Sequence, residues 1–266
     1  SRAGNVTFYD RLERGRERSQ PIERFGVISG MPETADNLAQ SYNITREECD
    51  AYAVQSHLKA EAAWNKGLFD TEIIPIEVKT KKTTTLINRD EGIRADSNVE
   101  ALAKLKPLRP NGVTTAGNSS QQNDAASGCL VVSKEYAEKY GLTPLAKIVG
   151  WSVIGCEPSQ MGIGPVPAVE KLLKKLEIQI ADIDLIEVNE AFAAQALAVL
   201  KGLHIENHTG VNVNGSGISL GHPIGATGLR IMTSLVHEMQ RRDAQYGLET
   251  MCIGGGQGIA ALFEKV

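Results

Sequence analysis

The pattern of apolar and polar residues predicts two helices early in the chain, at residues 33–42 and 45–66. The second helix has signals at both ends. Thr45 offers a hydroxyl that can cap its first turn, and Glu48 stands three residues later, where its carboxylate can reach back. Gly67 follows the last helical residue, where a left-handed cap is needed.

The segments around these helices differ in composition. Residues 10–24 are dense in arginine and glutamate and predict a solvated loop. Residues 73–78 predict a strand, and 79–98 are polar and irregular, typical of a surface loop. The run Thr114-Thr115-Ala116-Gly117-Asn118-Ser119-Ser120 is small and polar, which suits a backbone that a ligand approaches closely.

After this run, predicted strands and helices alternate to the end of the chain. The predicted strands are 145–155, 184–189, 211–213, 249–253 and 259–263, and the predicted helices are 167–176, 191–203 and 224–242. Such alternation favours an α/β layered domain in which helices cover a mixed sheet.

Composition narrows the possible partners. The chain has 266 residues, 42% of them apolar, so it can bury a substantial core. Its net charge of −4 gives no basic face for nucleic acid, although a local basic patch can still hold a phosphate-bearing ligand. No apolar run approaches the roughly 18 residues of a membrane span. The four cysteines lack the spacing of metal ligands, so we expect no metal site. A secreted disulfide scaffold is normally richer in cysteine, so we expect the cytoplasm or another reducing compartment.

Three chemically reactive residues share one arrangement. Asn189, His222 and Cys252 each stand at the end of a predicted strand, beside small residues. Ligands gather at the carboxyl ends of strands in α/β sheets, so the three side chains could converge. Taken singly, each has an ordinary explanation: a helix cap, a structural histidine and an inert buried thiol.

Taken together, these blocks resemble the thiolase family. Asn189-Glu190-Ala191-Phe192, Gly221-His222-Pro223 and Cys252-x-Gly-Gly-Gly-x-Gly match the family's C-terminal signatures in the family's order. Upstream, Met161-Gly162-x-Gly-Pro165 and Gly117-Asn118-Ser119-Ser120 extend the match. The resemblance covers the chain from about Met31 and implies an acyltransferase that condenses two acetyl-CoA molecules or cleaves 3-ketoacyl-CoA with CoA.

The resemblance implies a role for each signature residue. Cys252 is the base and acid that moves the α-proton of acetyl-CoA. His222 activates the nucleophilic cysteine and donates to the thioester oxyanion, where Asn189 fixes a water. The backbone N–H of Gly254 serves a second oxyanion hole. Coenzyme A and acetyl-CoA are substrates, and no prosthetic group is implied.

The resemblance also implies contacts with coenzyme A. Ser120 matches the residue that bonds the pantetheine arm, and Arg94 matches an arginine near the adenine and phosphate end. Phe192 and Met161 match apolar residues around the pantetheine and acyl groups. Arg94 lies in a polar segment, so an ordinary solvated arginine is the alternative there.

The chain departs from the family at the nucleophile. The family places it in an Asn-x-x-Cys-x-Ser-Gly motif, which does not occur here. Cys49 matches a position inside a helix, the surroundings of Cys129 match a later helix, and Cys156 precedes a loop-like segment. We therefore expect none of the three to be the nucleophile, and this chain alone to be inactive.

This departure predicts an incomplete domain organisation. The expected division is a loop domain at 1–122, a remnant of the N-terminal half-domain at 123–142, and the C-terminal half-domain at 143–266. An uncovered apolar face costs about 25 cal/mol per Å². We therefore expect a piece of a longer or cleaved polypeptide, and a homo-oligomer when full length.

Several alternatives stay open from the sequence. Ser29-Gly30-Met31-Pro32 replaces the His-Met-Gly run of many acetoacetyl-specific thiolases, which leaves acyl-chain length open between acetoacetyl-CoA and longer substrates. Cys252 argues against the decarboxylating synthases, and Asn189 argues against the lipid-carrier-like thiolases. An alternative of another class is a non-catalytic CoA-binding or assembly subunit.

Overall fold

A computed structural model describes residues 4–5, 7–11, 14–15, 18 and 20–266. The loop predicted over 10–24 lies partly outside these residues, and its described end contains a one-turn helix, α1 (Ile22–Phe25). Helices α2 (Met31–Ser41) and α3 (Arg46–Asn65) follow, as predicted.

The predicted caps of α3 are confirmed. The Thr45 hydroxyl accepts from the Glu48 N–H at 3.2 Å, and the Glu48 carboxylate accepts from the Thr45 N–H at 2.7 Å. Gly67 has a φ of 68°, the left-handed conformation that a glycine adopts without strain. These local contacts satisfy N–H groups that the helix leaves without internal partners.

The prediction of an irregular loop at 79–98 is wrong in part. Strand β1 (Ile76–Lys79) pairs antiparallel with β2 (Thr84–Ile87), which lies inside that segment. The cross-strand pairing of apolar and threonine side chains explains the ribbon, and both strands are exposed. The short helix α4 (Val99–Ala103) follows, capped by Asn98.

The predicted mixed sheet is confirmed in the C-terminal part. Its strands, in spatial order, are β3 (Lys147–Gly155), β6 (Gln257–Glu264), β5 (Tyr246–Ile253) and β4 (Leu185–Val188). Strands β4 and β5 run parallel, and the other two pairs are antiparallel. The predicted strand at 211–213 forms only isolated bridges, one of them to Ile186.

Helices cover both faces of this sheet. On one face, α6 (Pro165–Leu176) and α7 (Ala193–Gly202) enclose a core that includes Leu172, Leu248 and Leu262. On the other, α9 (Thr227–Arg242) packs through Leu235 and Met239 on Leu185 and Phe263. A shorter helix, α8 (Gly217–Leu220), lies between α7 and α9 in sequence. Helices α2 and α3 pack on α7 through a further apolar cluster.

The segment between the small polar run and the sheet is almost entirely exposed. Residues 121–133 have no regular secondary structure, and α5 (Lys134–Tyr140) begins only after them. The prediction that the surroundings of Cys129 belong to a helix is therefore wrong, since the helix begins five residues after it, at Lys134. Large apolar side chains remain exposed here and on β3, namely Leu130, Val131, Tyr140, Ile148, Trp151 and Val153.

Candidate active site

Asn189 stands at the carboxyl end of β4, directly after a fully buried strand. Its backbone N–H donates to the Thr250 carbonyl oxygen of β5 at 3.0 Å, which continues the parallel pairing by one residue. The Asn189 side chain is completely buried, and its Oδ1 has no hydrogen-bond partner among the described residues. An unsatisfied amide oxygen is costly to bury, so it is suited to bind a water or ligand.

The Asn212 side chain hydrogen-bonds the end of β4 in the way that the backbone of a neighbouring strand would. Asn212 Oδ1 accepts from the Val188 N–H at 2.8 Å, and Asn212 Nδ2 donates to the Val188 carbonyl oxygen at 2.9 Å. Asn212 Nδ2 also donates to the buried Glu190 carboxylate at 3.0 Å. Asn212 has a φ of 43°, which asparagine tolerates better than most residues. This network fixes Asn189 from both sides.

His222 reaches the same point from a different segment. Its Nε2 lies 3.4 Å from Asn189 Nδ2, and its Nδ1 lies 2.7 Å from the Thr227 hydroxyl oxygen. That hydroxyl donates its proton to the Pro223 carbonyl oxygen at 2.7 Å, so its oxygen accepts from His222. The hydrogen on the ring is therefore on Nδ1, and Nε2 presents a lone pair.

The electrostatic surroundings keep His222 neutral. Burial lowers the pKa of its imidazole, and the charge of Arg230 lowers it further. Arg230 extends from α9 and lies in the field of four carboxylates, those of Glu187, Glu190, Asp90 and Glu249. Of these, Glu187 on β4 and Glu249 on β5 are Cα partners in the parallel register. A neutral histidine with a free Nε2 can accept a proton from a thiol or water.

Cys252 lies at the end of β5, two residues beyond Thr250. Its side chain is half-buried, and burial raises the pKa of its thiol to about 12. The turn that follows is open, because a Cβ built on Gly254 would touch nothing within 4 Å. Gly256 has a φ of 92°, and its carbonyl oxygen accepts from the Cys156 N–H at 2.8 Å. The turn thus leaves space in front of the thiol.

The small polar run lies against this edge of the sheet. Ser119 bridges to Phe192, and the Ser120 N–H donates to the Ala191 carbonyl oxygen at 2.9 Å. The next residue, Gln121, accepts from the His222 N–H through its carbonyl oxygen at 3.4 Å. Ser120 and Phe192 are therefore close neighbours of the Asn189–His222 pair.

Met161 and Arg94 have different surroundings. Met161 is buried in a 3₁₀ turn, where its carbonyl oxygen faces the Cys156 thiol at 3.7 Å. Arg94 is exposed and lines a cavity of about 320 Å³. Loop residues, helix residues and part of the small polar run form its walls, including His57, Ser97, Leu102, Gly117, Ser119 and Gln121.

The described residues contain neither a cluster of metal-ligand residues nor a membrane-spanning helix. In that part of the chain, no three histidine, cysteine, aspartate or glutamate residues cluster as metal ligands would. The same residues include no helix long and apolar enough to cross a bilayer.

Comparison with known families decides the assignment. The family description "Thiolase, N-terminal domain" matches residues 24–135, and "Thiolase, C-terminal domain" matches residues 142–265. The chain belongs to the thiolase family. The resemblance inferred from the motifs is thereby confirmed.

Similar thiolases come from bacteria and animals. The chain is 46% identical over 245 residues to the β-ketoadipyl-CoA thiolase of Pseudomonas putida, a match that covers 91% of this chain and 61% of that protein. It is 48% identical over 236 residues to the human mitochondrial 3-ketoacyl-CoA thiolase, covering 88% and 59%. The chain thus spans about three fifths of the length of these relatives.

Solved thiolase structures share the fold. A crystal structure of the Bacillus anthracis acetyl-CoA acetyltransferase superposes with a TM-score of 0.89 at 45% identity, covering all of this chain and 66% of that one. The human mitochondrial 3-ketoacyl-CoA thiolase superposes with a TM-score of 0.86 at 43% identity, covering 100% and 67%. The expected thiolase-like α/β fold is confirmed.

Sequence reasoning missed three charged residues near this candidate site. Glu187, Glu249 and Arg230 carry no motif, and only the register of β4 on β5 brings the two glutamates together. Burial raises the pKa of both carboxyls, that of Glu249 to about 8. A weak signal existed, since charged residues inside strongly apolar strands are rarely buried without partners.

Proposed function

We propose that this chain carries the base and oxyanion-binding part of a thiolase active site, which acts on CoA thioesters by Claisen chemistry. The observation that carries this proposal is the 3.4 Å contact between Asn189 and His222 at the carboxyl end of β4. The end of β5, with Cys252, is joined to it by the Asn189–Thr250 hydrogen bond. The identities to two named thiolases support the same reaction class.

Cys252 is the proposed acid and base. A thiol whose pKa is about 12 is protonated at neutral pH, so it begins as an acid and becomes a base only after it gives up its proton. As thiolate it removes a proton from the α-carbon of acetyl-CoA. The open turn at Gly254 leaves room for the thioester, and the Gly254 N–H is the proposed donor to the second oxyanion.

His222 is the proposed activator of a nucleophilic thiol. Its Nε2 lone pair accepts the thiol proton, and the resulting Nε2–H then donates to the thioester oxyanion. Thr227 keeps the first proton on Nδ1 throughout. Asn189, with its unsatisfied Oδ1, is the proposed holder of the water in this oxyanion hole.

The proposed CoA path runs along the small polar run. Ser120 would bond the pantetheine arm, and Phe192 beside it would supply an apolar contact. Met161 would contribute to the acyl end. Arg94, at the rim of the 320 Å³ cavity, would bind the adenine and phosphate end by its guanidinium charge.

We further propose that the chain carries no acyl nucleophile. Cys49 is fully buried in α3, and burial raises the pKa of its thiol to about 12. Burial also raises the pKa of Cys156. Cys129 is exposed, in a segment without regular secondary structure. A nucleophilic thiolate needs a lowered pKa or an adjacent base, whereas burial raises the pKa of Cys49 and of Cys156, and no contact of Cys129 with a base is formed among the described residues.

Other proposals rest on the family resemblance or, for the compartment, on the number and spacing of the cysteines. The division at 1–122, 123–142 and 143–266, the homo-oligomeric state of the full-length protein, and the reducing compartment all stay predictions. Acyl-chain length also stays open. Relatives include a β-ketoadipyl-CoA thiolase and a 3-ketoacyl-CoA thiolase, and the acetoacetyl-type His-Met-Gly run is absent.

Thiolysis of acetoacetyl-CoA by the purified chain tests the missing nucleophile. With an intact mass of 28.7 kDa, we expect CoA binding without turnover. Turnover by that same chain would contradict the proposal, and Cys129 or Cys156 would be the first candidate nucleophile. A non-catalytic CoA-binding or assembly subunit also predicts binding without turnover. It differs in predicting no Cys252-dependent proton exchange on acetyl-CoA.

A further inference from the structure

The loop that carries Arg94 is held in place by two hydrogen bonds from outside the loop. Gln121 Nε2 donates to the Gly92 carbonyl oxygen at 3.0 Å. The Arg94 backbone N–H donates to His57 Nδ1 at 3.2 Å. The two contacts lie on either side of Ile93, so together they fix the direction in which the Arg94 side chain leaves the backbone.

The Gln121 contact is rigid and does not titrate. Its amide also donates to the Ile218 and Ser219 carbonyl oxygens, at 2.9 and 3.1 Å. A Cβ built on Gly92 would lie 1.7 Å from Gln121 Oε1, so only glycine permits this close approach. This anchor belongs to the same wall as His222, whose N–H bonds the Gln121 carbonyl oxygen.

The His57 contact comes from the opposite wall. His57 is 5% exposed and lies on α3, next to Ser56, whose hydroxyl donates to the buried Glu190 carboxylate at 2.6 Å. Because Glu190 follows Asn189 directly, α3 is fixed relative to the active-site edge. His57 can accept from Arg94 only when Nδ1 carries a lone pair, which requires the neutral ring.

We propose that His57 is a positioning residue for Arg94, and that its protonation releases the Arg94 loop and weakens CoA binding. The inference rests on the proposed function, in which Arg94 binds the phosphate end of CoA. Protonation would put a hydrogen on Nδ1, so that two N–H groups face each other. The imidazolium would also repel the Arg94 guanidinium.

The charges around His57 come from the loop itself. Arg94 opposes protonation and Asp96 favours it, while burial lowers the pKa of His57 more than either charge changes it. Residues 116–121 and α8, which also line this cavity, contain no titratable side chain. His57 is therefore neutral at pH 7 and gains its proton below its ordinary pKa of 6.5.

Dissociation constants for coenzyme A, measured by calorimetry between about pH 7.5 and 5.5, test this inference. An asparagine in place of His57 would keep an acceptor near the Nδ1 position without titrating, so H57N is the matched control for H57A. At the upper pH we expect H57A to bind CoA about fivefold more weakly than wild type, and H57N within about twofold. Titration of CoA itself cancels in the wild-type to H57N ratio.

The pH dependence of CoA binding distinguishes a positioning role of His57 from a purely structural one. We expect the ratio of the wild-type to the H57N dissociation constant to rise by about twofold or more as pH falls across this range. A constant ratio, or wild-type affinity in H57A, would overturn the role of His57 while the proposed function stands. A wild-type chain that does not bind CoA, with R94A indistinguishable from it, would overturn the proposed function and this inference together.

Discussion

His222 Nδ1 lies 2.7 Å from the Thr227 hydroxyl oxygen, whose own proton is committed to the Pro223 carbonyl oxygen. Both contacts are local, since Thr227 is the first residue of α9 and His222 precedes it by five residues. The geometry leaves one tautomer, in which Nε2 is unprotonated and its lone pair faces the Asn189 amide nitrogen. The contact of Nδ1 with Thr227 therefore determines that Nε2, on the opposite side of the ring, is the unprotonated nitrogen.

The Thr227 contact predicts a specific loss on substitution. Thr227→Val removes the acceptor for Nδ1–H, and the buried imidazole donor left unpaired should cost about 1–3 kcal/mol in the free energy of unfolding. Thr227→Ser keeps the hydroxyl and should retain the tautomer. Nitrogen-15 shifts of the His222 ring measure the tautomer, and urea unfolding measures the stability. A Val variant whose ring keeps its hydrogen on Nδ1 would refute the assignment.

Asn189 predicts a change in the basicity of His222. Asn189→Asp would set a carboxylate beside Nε2, where its charge should raise the pKa of His222 by about one unit or more. Asn189→Ala introduces no charge and serves as the control. The pH titration of the His222 ring protons by NMR reports the pKa directly. Equal values in the two variants would show that the 3.4 Å contact does not govern His222.

Glu249 predicts a pH dependence of stability. Its pKa is raised from 4.5 to about 8 by burial, so the folded state binds a proton that the unfolded state has lost between these values. The stabilisation from this proton is full below pH 4.5 and is lost as pH rises toward 8. Glu249→Gln should therefore lose less stability than wild type from about pH 5 to 8. The exposed Glu206→Gln substitution, matched in chemistry, should follow wild type in urea unfolding.

The hydrogen bonds of Asn212 with Val188 predict a loss of stability when the side chain is removed. Asn212→Ala leaves the Val188 N–H and carbonyl oxygen without these partners and imposes a left-handed φ on alanine. We expect a loss of about 3 kcal/mol or more in the free energy of unfolding. The exposed Asn207→Ala substitution should cost less than about 1 kcal/mol. Similar losses in both variants would mean that the Asn212 hydrogen bonds contribute little.

Local signals predicted local features well. The ends of α3 followed from Thr45, Glu48 and Gly67 because caps depend on neighbours in sequence. Strand β2 was missed because a polar, exposed strand is defined by its partner rather than by its own pattern. Cys129 was assigned to helical surroundings, although its segment has no regular secondary structure and is tied to the rest of the chain by side-chain contacts such as that of Ser127 with Ala226.

The residues of the candidate site also differ in whether the sequence could predict them. Asn189 and Cys252 could be grouped from the sequence because the ends of β4 and β5 share one edge of the sheet, and the Asn189–Thr250 hydrogen bond agrees with that grouping. The prediction that His222 also stands at a strand end is wrong, since it follows the short helix α8 and reaches Asn189 from there. Arg230 and Glu249 could not be predicted, since their placement near the site depends on the strand register and on the docking of α9. Such long-range relationships have no counterpart in residue spacing.

Deuterium uptake at the α-carbon of acetyl-CoA, measured in D₂O at about pH 9 where more of the Cys252 thiol is ionised, tests the central claim most directly. Proton exchange needs the base and an oxyanion hole but no acyl nucleophile. We predict slow exchange by the 28.7 kDa chain that is lost in C252A. No exchange above the buffer rate, or an equal rate in C252A, would contradict the assignment of Cys252 as the base of a thiolase site.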